Sequence, residues 1–214
     1  MMAIIKLDNV SKKYKKGETV IKNCNLEIEK GEFIGLVGKS GAGKTTLLNI
    51  IGLITDITGG KISIGKYKNL NPYSHSAMML RRNTIGYLFQ NYGLIEDETV
   101  KWNLELALEY RKMSKQDKQS SISSLLEKFG LKGYEKKQVY QLSGGEQQRI
   151  AIIKLILQKS NIILADEPTS GLDTENVNLV MDMLQELNNN GATIVMVTHN
   201  LNLCQYFSRT ITLD

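Results

Sequence analysis

The sequence predicts an α/β fold built on a mostly parallel central sheet with helices on both faces. Two observations carry this. Continuous apolar runs at Phe33–Val37, Ile162–Ala165 and Thr193–Val197 read as strands covered on both sides. Each is followed by a segment of helical spacing, and strands alternating with helices assemble into parallel sheets. Ligands of such sheets gather beyond the carboxyl ends of the strands.

The elements follow in order. Ile4–Val10 and Val20–Ile28 are short apolar-polar mixes read as strands, the second ending in the turn Glu29-Lys30-Gly31-Glu32. After Phe33–Val37 comes a glycine-rich segment, then Thr45–Ile54 with Leu47, Leu48, Ile50 and Ile51 at helical spacing. Gly59-Gly60 breaks the chain, and Lys61–Ile64 and Thr84–Leu88 read as further strands. Val100–Lys112 and Lys115–Phe129 carry helix-period apolar positions, and Ser114 with Asp117 resembles a capping box opening the second. These two mark a helical lobe at about 91–142, inserted in a single domain whose core is 1–90 and 143–214. Glu146–Gln158 and Thr174–Asn189 are then helices, and Asn200–Phe207 is a short one. A last strand ends directly before Asp214, which leaves no appended regulatory domain.

Composition narrows the function classes. The 214 residues carry 27 Lys and Arg against 22 Asp and Glu, a formal charge of +5, with 42% hydrophobic and 23% charged residues. Those values fit a folded soluble protein and exclude a disordered or collagen-like chain. The longest apolar stretches, such as Ile150-Ala151-Ile152-Ile153, fall far short of the roughly 20 residues of a membrane span. The amino terminus has no basic-then-apolar signal region, which argues against export. Cys24 and Cys204 match no metal or redox spacing and read as reduced, mostly buried thiols. Lys12, Lys13, Lys15 and Lys16 form the one tight basic cluster, read as solvated surface and not as a nucleic-acid site.

Two motifs bear chemistry. Gly38-Lys39-Ser40-Gly41-Ala42-Gly43-Lys44-Thr45 matches G-x-x-x-x-G-K-[ST] after a strand and at a helix start. Glycines let successive N–H groups point inward at an anion, and the helix start adds partial positive charge. Lys44 brings a mobile full charge to the β- and γ-phosphates, the Thr45 hydroxyl suits Mg²⁺, and Thr46 extends the phosphate site. Ile162–Ala165 ends in Asp166 and Glu167. A carboxylate at the end of a neighbouring strand reaches the same Mg²⁺ through water, the role of Asp166. Glu167 points elsewhere and suits a base or orienter for an attacking water. A glycine turn and an acidic strand end are the plain alternatives for each motif alone.

Leu142-Ser143-Gly144-Gly145-Glu146-Gln147-Gln148-Arg149 decides between kinds of nucleotide-hydrolysing protein. It sets a hydroxyl and bare N–H groups at a helix start, an anion site without a lysine, which makes sense as half of a shared pocket. With this segment the whole chain resembles the ATP-binding-cassette (ABC) superfamily. The resemblance implies a P-loop ABC cassette with an N-terminal antiparallel β subdomain and an inserted α-helical lobe. It implies two cassettes stacked head to tail, with Ser143, Gly144 and Gly145 of one closing on the ATP of the other. It places adenine on Tyr14, Mg²⁺ and water against Gln90, and the γ-phosphate against His199; Ser170-Gly171-Leu172-Asp173 matches the loop that communicates across the pair. The catalytic set is then Lys44, Gln90, Glu167 and His199, and the metal set Thr45, Gln90 and Asp166.

Phe89–Val100 resembles the MacB/LolD/FtsE-like group, most closely the bacteriocin-export-associated ATPases of Gram-positive bacteria. That implies ATP and Mg²⁺ as cofactors and a homodimer of cassettes. It also implies a transmembrane permease subunit with few helices and a large extracytoplasmic part, no nucleic acid, and a cytoplasmic place on the inner face of the cell membrane. The work is export or mechanical motion. One departure stands out: where the family commonly runs Ala-Arg-Ala, this chain has Ile153 and Lys154 before Leu155. The alternative is a non-transport ABC ATPase acting on a soluble or nucleic-acid complex. Translation types carry two cassettes on one chain and repair types a long coiled-coil insertion, and neither fits 214 residues.

Overall fold

Side-chain alternation along five parallel strands decides the architecture. The computed structural model describes residues 3–14 and 17–213, so Lys15 and Lys16 of the basic cluster lie outside the described residues. Strands β3 (Phe33–Gly38), β5 (Ile85–Leu88), β6 (Ile162–Asp166), β7 (Thr193–Val197) and β8 (Arg209–Leu213) form one sheet in the order β5-β6-β7-β3-β8. Every neighbouring pair in it is parallel. Successive side chains point to opposite faces of a strand. Phe33, Ile163, Ala165, Ile194 and Met196 accordingly enter one hydrophobic cluster, while Ile34, Ile162, Leu164, Val195 and Val197 enter the other.

The second face is covered by α1 (Lys44–Ile51), α2 (His75–Asn83) and a three-stranded antiparallel sheet. That sheet joins β2 (Thr19–Glu29), β1 (Ala3–Lys13) and β4 (Gly59–Ile64) in this order, with Ile5 opposite both Ile28 and Ile64. The first face is covered by α5 (Gly144–Gln158) and α6 (Thr174–Asn189), and the helices α3 (Val100–Ala107) and α4 (Lys115–Lys128) pack on α5. Leu104, Ile122 and Leu126 belong to the same cluster as Ile150 and Ile153, so the helical lobe shares its core with the signature helix.

Several boundaries differ from the sequence reading. Helix α1 stops at Ile51 because Gly52 follows and Leu53 takes φ 55, so the spacing read to Ile54 belongs to a turn. Helix α3 ends at Ala107, where Leu108 leaves the helical backbone with φ -102 and ψ 0 while its side chain stays in the core. Helix α2 is unannounced: only Ala77 and Leu80 are buried in it, too few to show a period. At α4, Ser114 accepts the Asp117 N–H at 3.1 Å and its hydroxyl donates to the Asp117 carboxylate at 2.7 Å, a variation on the expected capping box. Asn200–Phe207 is one 3₁₀ run, Leu201–Tyr206.

Two surface readings are corrected. Lys12 is not solvated: it is 6% exposed, with Nζ 2.5 Å from the Asp56 carboxylate. Cys24 and Cys204 are free but only half-buried, Cys24 at the margin of the cluster on the second face. Among the described residues no helix is long and apolar enough to cross a membrane.

Gly35 shows how tightly the sheet is covered. A Cβ there would lie 2.3 Å from the ring of Phe207, which packs on Phe33 with centroids 5.3 Å apart. Gly35→Ala must displace that ring, and overpacking of this kind costs about 1–3 kcal/mol. The expected result is a lower urea midpoint at unchanged m-value; an unchanged midpoint would show that the ring moves freely.

Candidate nucleotide site

The sheet order sets β6, β7 and β3 side by side, so the turns after Asp166, Val197 and Gly38 open at the same edge. The loop after β3 leads into α1 through Gly43, at φ 86, which has no side chain to cap the helix. By contrast α2 to α6 are capped by Ser74, Thr99, Ser114, Ser143 and Asp173. The first-turn N–H groups of a helix have no partner within it. Those of α1 are thus left for a ligand, at the end where the helix dipole favours anions.

Glycine is required here by geometry. A Cβ on Gly38 (φ 144) would lie 2.2 Å from the Leu213 carbonyl oxygen, and one on Gly43 would meet Val20 and Ile21 at 2.9 Å. Lys44 arches back over the loop, donating from Nζ to the carbonyls of Gly38 (2.8 Å) and Lys39 (2.7 Å). The Ala42 N–H donates to Lys39 O at 3.2 Å and tightens the same turn.

The cleft in front of this loop, about 330 Å³, is bounded by Ser40, Gly41, Gly43, Lys44, Thr45 and Thr46, together with Gln90 and Glu167. Asp166, 6% exposed, accepts the Thr45 hydroxyl at 3.1 Å. Burial raises its carboxyl above the ordinary range, helped by the neighbouring Glu167 charge and opposed by Thr45 and Lys44. Glu167 takes φ 49, a left-handed conformation that disfavours a side chain. Its N–H donates to Val197 O at 3.0 Å, and its Oε2 lies 2.8 Å from His199 Nδ1. His199 is otherwise open to solvent.

Tyr14 stands outside this cleft, half exposed, with Lys12 Nζ 5.1 Å from its ring centroid. Ser143, Gly144 and Gly145 stand outside it too, at the start of α5. There the Ser143 N–H and hydroxyl both donate to Glu146 Oε2, at 2.8 and 3.0 Å, and the Tyr134 hydroxyl donates to Glu146 Oε1 at 2.7 Å. A Cβ on Gly144 would meet the Tyr92 hydroxyl and one on Gly145 the amide of Asn176.

The donor set fits Mg²⁺ and a triphosphate. Thr45, Asp166 and Gln90 offer hard oxygens, few enough that phosphate and water complete the shell. Among the described residues no group of three His, Cys, Asp or Glu forms a metal cage of its own. The uncapped N–H groups and Lys44 answer the phosphate charge.

Sequence reasoning missed supporting residues that carry no motif. Tyr87 stacks on Phe89, with centroids 4.2 Å apart, and its hydroxyl donates to Asn49 at 2.7 Å. Burial, then the Asp166 charge, pushes the Tyr87 phenol far up. Val20 also lines the cleft, and nothing in a strand of mixed character announces it.

Fold and site together define a P-loop nucleotide-hydrolysing protein. The ABC transporter family profile matches residues 21–170, and the chain belongs to that family. It is an ATP-binding cassette, an ATPase that works with ATP and Mg²⁺. The macrolide export ATP-binding/permease protein MacB of Mannheimia succiniciproducens is 37% identical over 98% of this chain, which spans only 33% of that protein. The ABC transporter ATP-binding protein YvrO of Bacillus subtilis is 35% identical over 97% of this chain and 92% of its own. The dimeric cassette MJ0796 of Methanocaldococcus jannaschii, solved in a post-hydrolysis state with ADP and Pi, superposes with a TM-score of 0.89. It is 38% identical, over 98% of this chain and 94% of that one.

Asp166 gives a pH-dependent prediction for the ligand-free chain. The fold raises its pKa, so it favours the protonated form. That contribution is fully present below the unfolded carboxylate pKa and is lost as pH rises through the folded one. Asp166→Asn keeps an acceptor for Thr45 without the buried charge. It is expected to raise the urea midpoint at pH 7, the gain shrinking as pH falls through the raised folded value and vanishing below the ordinary carboxylate range. A pH-independent gain, or none, would contradict burial as the cause.

Proposed function

We propose that this cassette drives a membrane transporter, as one of a pair stacked head to tail, and powers export or mechanical work by a separate permease subunit. The observation that carries this reading is a divided cage: the phosphate loop of the chain faces an open cleft, while its serine-diglycine helix start lies outside that cleft. A second copy, with its signature over the cleft, completes the cage.

In this reading the whole chain works as one domain, with its core at 1–90 and 143–214 and its lobe at about 91–142. The loop from Gly38 to Gly43, with Lys44, Thr45 and Thr46, binds the phosphates, and Tyr14 stacks on adenine. Thr45, Gln90 and, through water, Asp166 would hold Mg²⁺, which would supply positive charge against the phosphates. Glu167 orients the attacking water and takes its proton on a carboxylate oxygen as the water oxygen bonds to the γ-phosphorus and the bond to ADP breaks, while His199 steadies that carboxylate through Nδ1 and meets the γ-phosphate through its other ring nitrogen. Ser143, Gly144 and Gly145 of the facing copy donate the last hydrogen bonds. Positioning and charge stabilisation supply the rate, as in phosphoryl transfer generally.

The permease partner has few helices and a large extracytoplasmic part, and holds the cassette on the cytoplasmic face of the membrane. The MacB relatives join ATP-binding and permease in one name, which supports a permease as the partner of this cassette. Exposed Phe89 and Ile95 beside Gln90 support contact near the Gln90–Val100 segment and the lobe. The cleft of about 410 Å³ between α2, α3 and α5, lined by Met78, Arg82, Leu106 and Tyr110 among others, reaches that segment through Lys154, which donates to Gly93 O.

Glu167→Gln should keep ATP binding and lose turnover, leaving an ATP-dependent dimer on a sizing column. A variant that stays monomeric and active places the base elsewhere. Ser143→Arg should poison wild-type chains in mixtures, lowering turnover more than dilution does; a purely additive loss would exclude a shared site.

A further inference from the structure

The turn that carries Gln90 is fastened to α5 at two points. Tyr92 (φ 65) and Gly93 (φ 63) take successive left-handed conformations, and the Tyr92 N–H bonds back to Phe89 O at 2.9 Å. The first fastening is packing: the Tyr92 ring lies against the cluster that holds the α5 side chains, and its hydroxyl occupies the space that a Cβ on Gly144 would need. The second is Lys154, ten positions along the same helix, a rise of about 15 Å. Its Nζ donates to the Gly93 carbonyl at 3.0 Å.

Lys154 is costly where it stands. Its ammonium is largely withdrawn from water, and burial holds its pKa below the ordinary lysine range with no neighbouring charge to offset this. The cleft that it lines also holds Arg82 and Arg111 and no carboxylate. Arg82 lies over the Tyr110 ring and Arg111 donates to Gln158 O. A desolvated cation whose hydrogen-bond partner is a loop carbonyl does not stabilise the fold as an ion pair does. Its neighbour Ile153, by contrast, is fully buried and simply fills the core. The pair that departs from the common small-basic pattern thus divides into a packing residue and a strut.

We infer that Lys154 is a positioning residue for Gln90: by fixing the Gly93 carbonyl to α5, it makes the approach of Gln90 to the phosphate cleft follow the signature helix. The inference rests on the proposed role of Gln90 at Mg²⁺ and water. Gln90 lines the phosphate cleft, whereas Lys154 lines the other one. The strut acts through the turn between them, so α5 and Gln90 move as one piece when a facing copy pulls on Ser143.

The test uses Lys154→Met, which keeps the stem and removes the donor, and Lys154→Arg, which restores one. Hydrogen exchange in the nucleotide-free chain is followed across Phe89–Ile95, beside steady-state ATPase and ATP affinity without Mg²⁺. The Met variant is expected to exchange about tenfold faster in this segment, with α6 unchanged. Its kcat should fall roughly ten- to a hundredfold, the scale of a slight misplacement of a reacting group, while Mg²⁺-free ATP affinity is kept. The Arg variant restores both exchange and kcat. Wild-type exchange and kcat in the Met variant overturn the inference, as does an Arg variant no better than Met. If Lys154→Met does not fold, Lys154→Leu, which also lacks a donor, replaces it with the same expectations. Gln90→Ala is measured alongside: normal turnover there refutes the Gln90 reading alone, and exchange in the Met variant then still decides the strut.

Discussion

The uncapped start of α1 is the constraint on which the site depends. A helix cannot satisfy its own first N–H groups, and five of the six α-helices here use a serine, threonine or aspartate for the task. At α1 the capping position is Gly43 in a left-handed conformation, without a side chain. The deficit costs stability in the ligand-free chain and becomes binding energy when an anion arrives. Lys44 lessens the cost meanwhile by donating to two loop carbonyls, a bond set that a phosphate must replace.

The sheet places the remaining groups around that deficit. Because β6 and β7 lie between β5 and β3, the strand ends bearing Asp166 and Val197 flank the loop. Asp166 is buried against Thr45, and Glu167 turns away by adopting φ 49, which aims consecutive carboxylates in different directions. Both are unfavourable for folding, one through desolvation and one through backbone strain. Such costs are tolerated where the core is large, and here two clusters back the sheet on opposite faces.

What could be read from sequence follows the steepness of each physical requirement. Gly38 and Gly43 admit no Cβ, and β6 and β7 are buried along their whole length, so the loop and the parallel strands announce themselves. Helix α6 carries a strong apolar face and its limits agree with the spacing; α2 buries two side chains and leaves no pattern. Lys12 and Lys154 show the harder case. A lysine in sequence looks the same whether it is solvated or folded back onto a carboxylate or a carbonyl, and only the tertiary partner, Asp56 or Gly93, distinguishes them.

The two anion sites of the chain are unequal, and the inequality bears on why a pair is needed. The start of α5 is already satisfied: Glu146 closes a full capping box on Ser143 and is steadied by the Tyr134 hydroxyl. The Ser143 and Tyr134 hydrogen bonds keep that carboxyl below its ordinary range against the opposing effect of burial. An anion approaching the site meets a resident carboxylate that already holds the Ser143 N–H and hydroxyl and the Tyr134 hydroxyl, so it gains little there alone. The start of α1 has neither cap nor resident acid, and a lysine beside it. Strong binding at α1 and weak binding at α5 is the asymmetry that the proposed two-copy switch requires: in that reading each chain would hold a nucleotide firmly and close on its neighbour only with the γ-phosphate present to complete the bridge.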